Sequence, residues 1–267
     1  MAASITPLVS SQSGLSPGPA LLHPCFAPSP GKNAPRPFSM AFQPIVDLET
    51  ARVIAYEALV RGHGNEPAST VLTAQGVTDR ISIDRACRLT ASDVACSLGV
   101  LGTGADLCIN VNVRAASNDI PSLPATIAAA ERAGLPLKRL VIEISEEERL
   151  KNPRRLQSSL AKYRDLGLRV AIDDFGAGFA GLSLLSAFHP DMLKIDMALT
   201  KKIGQRHASR VIVQSIAHLC RDLDIQLIAE GVEEAGQVEI LQDLGIRYMQ
   251  GHHFAAPAFE ALPLWPL

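Results

Sequence analysis

The chain lacks a strong excess of charge of either sign. Its 267 residues carry 25 Lys and Arg against 27 Asp and Glu, a formal net charge of −2. Long-range attraction to nucleic acids or acidic membranes needs a strongly basic surface. The composition therefore argues against a nucleic-acid polymer or a membrane as partner. Any anionic ligand must be held by local cations, and bound metal is the first candidate.

Two further absences narrow the class of protein. The five cysteines are widely spaced and odd in number and form no C-x-x-C pair, so neither a disulfide framework nor a zinc knuckle is indicated. No apolar run approaches the roughly 18 residues that span a bilayer, and no charge precedes Lys32 to form the basic segment of a secretory signal. We expect a cytoplasmic protein with reduced thiols.

The first 37 residues differ in composition from the rest of the chain. They contain eight prolines with many Ser, Gly and Ala, which sustain neither helix nor sheet and predict a disordered tail at 1–37. From residue 38 to residue 267, short β-rich apolar runs alternate with longer amphipathic stretches. This alternation is typical of β/α units in one α/β domain.

Eight strands are predicted from the apolar runs. They are Met40–Val46, Val53–Leu59, Leu107–Val111, Leu140–Ile144, Arg169–Asp173, Met192–Ile195, Gln226–Ala229 and Arg247–Gln250. Helices are predicted between them, at Val71–Ser97, Pro124–Ala133, Arg154–Asp165, Ala208–Asp222 and Ala235–Asp243. The first two strands are too close in sequence for a helical crossover and should form an antiparallel hairpin. The pattern predicts a modified TIM-type barrel with an antiparallel first strand.

Polar residues recur at the ends of these strands, although barrel strands buried on both faces should be apolar. They are Glu57, Asn110, Glu143, Asp173, Asp174, Lys194, Asp196, Glu230 and Gln250. Strand residues two apart share a face, so most of these side chains can point into one barrel mouth. Two carboxylates about 4 Å apart repel by about 4 kcal/mol at an effective dielectric near 20. Several cannot stay ionised together without cations.

The residue types at this mouth predict the kind of cation. Asp, Glu and Asn without His or Cys form a hard-oxygen site, which suits Mg²⁺ or Mn²⁺ better than zinc. The number of carboxylates suffices for two ions that share a bridging ligand. Two such ions activate water and neutralise the reacting oxygens in phosphoester hydrolysis, and Lys194 can orient the water or stabilise developing charge.

The stretch AIDDFGAGFAGLS at 171–183 invites two other interpretations. Gly176-x-Gly178-x-x-Gly181 has the spacing of a dinucleotide-binding fingerprint, but two acids separate it from the apolar strand that should precede it directly. Asp174-Phe175-Gly176 imitates the metal-binding tripeptide of protein kinases, but no glycine-rich loop and strand lysine precede it. The two acids are the informative residues here.

The motifs together resemble the EAL-domain family of cyclic-di-GMP phosphodiesterases, named for the tripeptide present here as Glu57-Ala58-Leu59. The resemblance rests on FQPIVDLET, YEALVR, INVNV, IEISE, IDDFGAGF, LKID, IAEGVEE and QGHHFAAP, in the family order. It implies a stand-alone EAL domain with a TIM-like fold. The implied activity is metal-dependent opening of cyclic-di-GMP to linear pGpG with two Mg²⁺ or Mn²⁺ ions.

The resemblance also implies roles for individual residues. Metal ligands would be Glu57, Asn110, Glu143, Asp173, Asp174 and Glu230, with Asp173 bridging. The catalytic residues would include Glu57, with Lys194 holding the water and Glu230 an alternative general base. Asp196 and Gln250 would support the ligands. Substrate contacts would be Gln43, Leu59, Arg61 and Gln250.

A loop at 175–183 is implied to be mobile and to lie near a homodimer interface, steadied by Glu146 and Glu233. Its glycines would supply backbone freedom rather than a phosphate cradle. One alternative stays open: an EAL-like module that binds cyclic-di-GMP or a protein without hydrolysis. Such relatives usually lack a metal ligand or the lysine, whereas this chain keeps all of them, which favours the enzyme.

Overall fold

The computed structural model describes residues 38–72, 80–111, 123–146, 153–178 and 181–266. The predicted tail at 1–37 lies outside these residues and stays a prediction. Within the described residues there are nine strands. They are β1 (Phe38–Asp47), β2 (Arg52–Gly62), β3 (Asp106–Asn110), β4 (Leu140–Ser145), β5 (Arg169–Phe175), β6 (Met192–Ile195), β7 (Gln226–Ala229), β8 (Tyr248–Met249) and β9 (Ala258–Phe259).

Eight of these strands close into a barrel. Strands β2 to β8 lie side by side in chain order and run parallel, and β1 pairs antiparallel with both β2 and β8. The turn between β1 and β2 occupies only residues 48–51, too few for a crossover. The predicted modified TIM-type barrel with a reversed first strand is confirmed. The unpredicted β9 pairs with β1 at Ala41 and Phe42.

The helices follow the strands along the chain. Within the described residues they are α1 (Ala68–Leu72), α2 (Arg80–Ser97), α3 (Val100–Thr103), α4 (Leu123–Arg132), α5 (Pro153–Arg164), α6 (Gly181–Ala187), α7 (Met197–Thr200), α8 (His207–Asp222) and α9 (Ala235–Asp243). The single helix predicted at Val71–Ser97 corresponds to the end of α1 and to α2, and residues 73–79 lie outside the described range. None of the described helices is long and apolar enough to cross a membrane.

The inside of the barrel shows why the mouth is polar. One buried apolar layer consists of Ile45, Ala55, Cys108, Val141, Ala171, Met192 and Ile228. On a parallel strand, the residue two positions further along lies on the same face, one layer nearer the carboxyl end. That next layer consists of Glu57, Asn110, Glu143, Asp173, Lys194 and Glu230. The strand period thus stacks the charged layer directly on the apolar one.

Candidate metal centre at the barrel mouth

Lys194 is the centre of the charged layer. It lies on β6 with 0% of its surface exposed. Its Nζ atom lies 3.1 Å from Glu57 Oε2, 3.0 Å from Glu143 Oε1, 3.0 Å from Asp173 Oδ1 and 2.7 Å from Glu230 Oε1. Four carboxylates from four different strands or strand ends therefore share one ammonium group, as the sequence pattern predicted for a common mouth.

Asp173 and Asp174 are neighbours in the sequence and yet both belong to this cluster. Successive residues of a regular strand point to opposite faces, so an irregularity is required. Strand β5 has a register shift between Ile172 and Phe175 in its pairing with β6, and Asp174 has a φ of 56°. This local bend aims both carboxylates at the mouth.

Two groups of acids have ligand atoms within 4.8 Å of one another. They are Glu57, Glu143 and Asp173, and Asp173, Asp174 and Glu230. Asp173 is common to both groups. Asn110, the last residue of β3, pairs in register with Glu143 and lies at the same level of the barrel. The acidic residues are therefore positioned for metal binding.

Burial and mutual repulsion change the ionisation of the cluster. Burial raises the pKa of Glu143 well above its usual value, and neighbouring Glu57 and Asp173 act in the same direction. Burial, with Asp173 and Glu57, raises the pKa of Glu230 to about 8. Burial and the adjacent Asp173 raise the pKa of Asp174 to about 6. One lysine does not compensate the charge of five carboxylates.

The pKa of Lys194 shifts for the opposite reason. Burial alone would lower it, but Asp173, Glu143, Glu230 and Glu57 outweigh burial and raise it well above its usual value. The lysine is therefore firmly protonated.

Hydrogen bonding within the cluster indicates which kind of ligand its buried oxygens could bind. Among the described residues, Oε2 of Glu143 is buried without a hydrogen-bond partner, and Oε1 of Glu143 and Oδ1 of Asp173 have only the shared Lys194 ammonium, at 3.0 Å each. Buried polar atoms are nearly always satisfied in folded proteins. Hard oxygen atoms with excess negative charge are the donor set that Mg²⁺, Mn²⁺ and Ca²⁺ prefer. The residues present fit a divalent metal ion.

Glu57 is held by Gln250, which in turn contacts Gln43. Gln250, only 3% exposed, donates from Nε2 to Glu57 Oε2 at 2.6 Å and to Gln43 Oε1 at 3.3 Å. Gln43 in turn donates to the carbonyl of Ala255 at 3.1 Å. Gln250 therefore supports Glu57 directly and Gln43 supports Gln250, and a direct contact of either glutamine with a substrate stays a prediction.

A cavity of about 480 Å³ opens beside Glu57 and Asn110. Leu59 and Arg61, both predicted substrate contacts, line it together with Asp84 of α2. Its volume is in the range of pockets that bind small molecules. Asp84 escaped the sequence prediction because it lies inside a predicted amphipathic helix, where an acid is unremarkable.

The glycines after Asp174 contact Glu146, one of the two acids that the family resemblance implies for this loop. Glu146 accepts hydrogen bonds from the backbone N–H groups of Gly176 at 2.6 Å, Gly178 at 3.3 Å and Gly181 at 2.7 Å. All three glycines of the G-x-G-x-x-G pattern thus surround one carboxylate. The glycine N–H groups therefore bind an anion that belongs to the chain itself, and their supply of backbone freedom stays a prediction.

Two other predicted supporting residues lie near α7. Asp196 is the N-cap of this helix and accepts from the N–H of Ala198 at 2.8 Å. Glu233 pairs with Lys201 at 3.1 Å, and both side chains are exposed. Glu146 therefore contacts the glycine loop directly, and the influence of Glu233 on that loop stays a prediction.

Fold and site together define a TIM-type barrel with a metal-binding acidic cluster at the carboxyl ends of its strands. The family model of the EAL domain matches residues 34–257. The chain belongs to the EAL domain family.

Solved structures of similar proteins carry informative ligands. A stand-alone EAL protein from Vibrio cholerae O395, in its c-di-GMP-bound form, is 37% identical with a TM-score of 0.79, covering 86% of this chain and 96% of that one. BlrP1 of Klebsiella pneumoniae, solved with manganese and cyclic diGMP, is 32% identical with a TM-score of 0.79, covering 89% and 60%.

Curated relatives include the blue light- and temperature-regulated antirepressor BluF of Escherichia coli K12. It is 29% identical over 230 residues, which are 85% of this chain and 56% of BluF. A protein of Synechocystis is 31% identical over 229 residues, 33% of its length. The chain thus spans about half or less of these relatives.

Proposed function

We propose that this protein is a metal-dependent phosphodiesterase that hydrolyses cyclic-di-GMP to linear pGpG. The observation that carries the proposal is the cluster around Lys194, where four carboxylates share one ammonium, Asp174 adds a fifth acid, and the buried Oε2 of Glu143 has no hydrogen-bond partner among the described residues. A merely structural ion pair would balance its charges, because uncompensated buried charge is costly. Binding of divalent cations would remove this imbalance.

Residues of five strands or strand ends would hold two Mg²⁺ or Mn²⁺ ions. They are Glu57, Asn110, Glu143, Asp173, Asp174 and Glu230, with Asp173 as the bridging ligand because it belongs to both groups of acids. Ions bound there would supply the positive charge that activates water and neutralises the departing oxygen in phosphodiester cleavage. The manganese in BlrP1 supports this assignment.

Lys194 would hold the attacking water. Its ammonium has three N–H donors, which four carboxylates share in the described structure. Binding of metal ions by these carboxylates would free a donor that can orient a water molecule at the mouth. Glu230 is the alternative general base, since its carboxylate lies 2.7 Å from the Lys194 ammonium that would hold the water.

The cavity beside the cluster would receive the nucleotide. Arg61 offers a guanidinium suited to phosphate oxygens, and Leu59 provides an apolar surface for a base. Asp84 on the same wall offers a carboxylate that can accept N–H groups of a guanine base. Cyclic-di-GMP bound to the Vibrio cholerae and Klebsiella proteins supports this class of ligand.

Hydrolysis is tested by incubating the full chain with cyclic-di-GMP and Mg²⁺ or Mn²⁺ and following pGpG by chromatography. We expect pGpG to form with metal and to stop when EDTA is added. Lys194→Met is the matched variant, because it removes the ammonium that holds the water. Binding of cyclic-di-GMP without release of pGpG by the wild type would contradict the enzyme.

A receptor without turnover is the second candidate, because the relative BluF is named as an antirepressor. The same assay separates the two functions: a receptor would bind cyclic-di-GMP in calorimetry and leave it intact over hours. The intact set of acids and Lys194 favours the enzyme.

A homodimer is also proposed on the family resemblance. Leu182 of α6 and Val211 and Ile212 of α8 are exposed apolar side chains that a second copy could cover. Sedimentation velocity on the chain used for the hydrolysis assay should give a dimer, and a monomer at assay concentrations would contradict it.

A further inference from the structure

We propose that Gln237 is a positioning residue that fixes the strand end bearing Glu230, and thereby sets the affinity of the mouth for divalent metal. The inference rests on the proposed function. Gln237 lies in the first turn of α9 and is 6% exposed. Its Oε1 atom accepts from the backbone N–H groups of Glu233 at 2.7 Å and Glu234 at 2.8 Å. This side chain therefore holds the loop that follows β7.

The amide nitrogen of Gln237 reaches a different element. Nε2 donates to the carbonyl of Thr200 at 3.2 Å, at the end of α7. Thr200 is 0% exposed, and its hydroxyl donates to the carbonyl of Glu230 itself. Two buried side chains thus connect the backbone on both sides of Gly231 to a single turn of α7.

Helix α7 is packed closely against that same loop. Gly231 has a φ of 64°, and a Cβ atom built on it would lie 2.4 Å from Met197 Cβ. Helix α7 begins directly after Asp196, two residues beyond Lys194. A shift of α7 would therefore move the backbone next to both Lys194 and Glu230, which are 2.7 Å apart at their charged atoms.

Capping of α9 alone would explain only part of this arrangement. A side chain at this position that accepts N–H groups at the helix start is a capping device. The bond to Thr200, and that of Thr200 to Glu230, are not needed for a cap. Partners that orient ligating carboxylates typically change metal affinity by about 10–100-fold when removed.

The test measures binding of Mn²⁺ alone to the full chain by calorimetry, without substrate. We expect Gln237→Leu to weaken Mn²⁺ binding by about 10-fold. Thr200→Val, a milder change that removes only the hydroxyl, should weaken it in the same direction. The double variant should weaken Mn²⁺ binding by less than the product of the two single fold-changes, since both residues act through one connection.

Thr126→Val is the matched control. Thr126 is also 0% exposed, and its hydroxyl accepts from Arg88 Nε at 2.9 Å between α4 and α2. This variant should lower thermal stability and leave Mn²⁺ affinity unchanged. If Gln237→Leu and Thr200→Val behave like this control, the inference is overturned and Gln237 is only a cap. If the wild type binds no Mn²⁺, the proposed function fails and the inference with it.

Discussion

The two rims of the barrel treat their carboxylates in opposite ways. At the amino end of the parallel strands, three carboxylates each pair with a different arginine: Asp47 with Arg247, which also pairs with Glu49, Asp106 with Arg169, and Asp191 with Arg164. At the carboxyl end, four carboxylates share Lys194, and a fifth, that of Asp174, lies beside them. The ion pairs of the amino rim connect neighbouring segments of the barrel. The carboxylates of the carboxyl rim outnumber their cation.

The pKa values of one residue from each rim express this difference. Hydrogen bonds from Arg247 hold the pKa of Asp47 well below its usual range, despite its burial. Burial, with the neighbouring Asp173 and Glu57, raises the pKa of Glu230 to about 8, although Lys194 acts in the opposite direction. A carboxylate whose pKa is lowered by a partner stabilises the folded state. A carboxylate whose pKa is strongly raised is typical of a functional site.

The largest expected effect is a loss of turnover when a carboxylate is removed from the carboxyl rim and not from the amino rim. Glu57→Ala removes a ligand carboxylate from the mouth, so pGpG formation should fall by more than the roughly 10–100-fold cost of losing a supporting partner. Asp47→Ala, the matched change at the other rim, should leave the turnover of folded protein within about two-fold, because Asp47 contacts no residue of the mouth in the described structure. Unchanged turnover in Glu57→Ala would show that the assigned site is wrong.

A smaller effect concerns stability at the amino rim. Asp47 accepts from Arg247, from the Thr50 hydroxyl at 2.6 Å and from the Glu49 N–H at 3.0 Å. Asp47→Asn should lower the free energy of unfolding by about 1.5–3 kcal/mol at pH 7, since the lost bonds involve charged groups. Urea denaturation of the two proteins measures the difference.

The pH dependence of that difference has a fixed sign. The pKa of Asp47 is depressed in the folded state, so its contribution is complete above the unfolded value of about 4 and is lost as the pH falls further. The gap between wild type and Asp47→Asn should be constant from pH 7 to pH 5 and should narrow at pH 3. A gap that widens toward pH 3 would contradict the pairing.

The smallest expected effect is a rise in stability when a carboxylate of the carboxyl rim is neutralised. Glu143→Gln replaces a fully buried carboxylate, which shares the Lys194 ammonium with three others, by a neutral amide, so the free energy of unfolding of the metal-free protein should rise by about 0.5–1 kcal/mol. The same variant should lose most of the stabilisation that excess Mn²⁺ gives the wild type, which is about 2.7 kcal/mol at 100 times Kd. Urea denaturation in EDTA measures the stability of the metal-free proteins, and denaturation in Mn²⁺ measures the stabilisation by metal. If metal-free Glu143→Gln is less stable than the wild type, the carboxylates of the two rims do not differ in their effect on stability.

Much of the barrel was predictable because its strands are regular. The limits of β6 and β7 agree with the predicted ones, and the short turn after Asp47 predicted the reversed first strand. The short elements were missed: α7 has four residues and β9 two, too few to display a period.

The sequence by itself determined the layer of the site. On the parallel strands, a side-chain period of two places the polar residues on the same face as the apolar interior residues two positions before them, for example Glu143 after Val141 and Lys194 after Met192. The choice of hard oxygen ligands followed from residue types alone. Both inferences depend on local geometry and chemistry, which are readable along the chain.

Only the tertiary structure decided the rest, since it depends on contacts between distant segments and on one local irregularity. The bend at Asp174 turns two adjacent acids to one side. Glu146 fills the glycine cradle from 30 residues before Gly176. Gln237 reaches Thr200 across two elements. A sequence pattern gives spacing along one strand or helix, whereas these three features depend on where the closed barrel brings separate segments together.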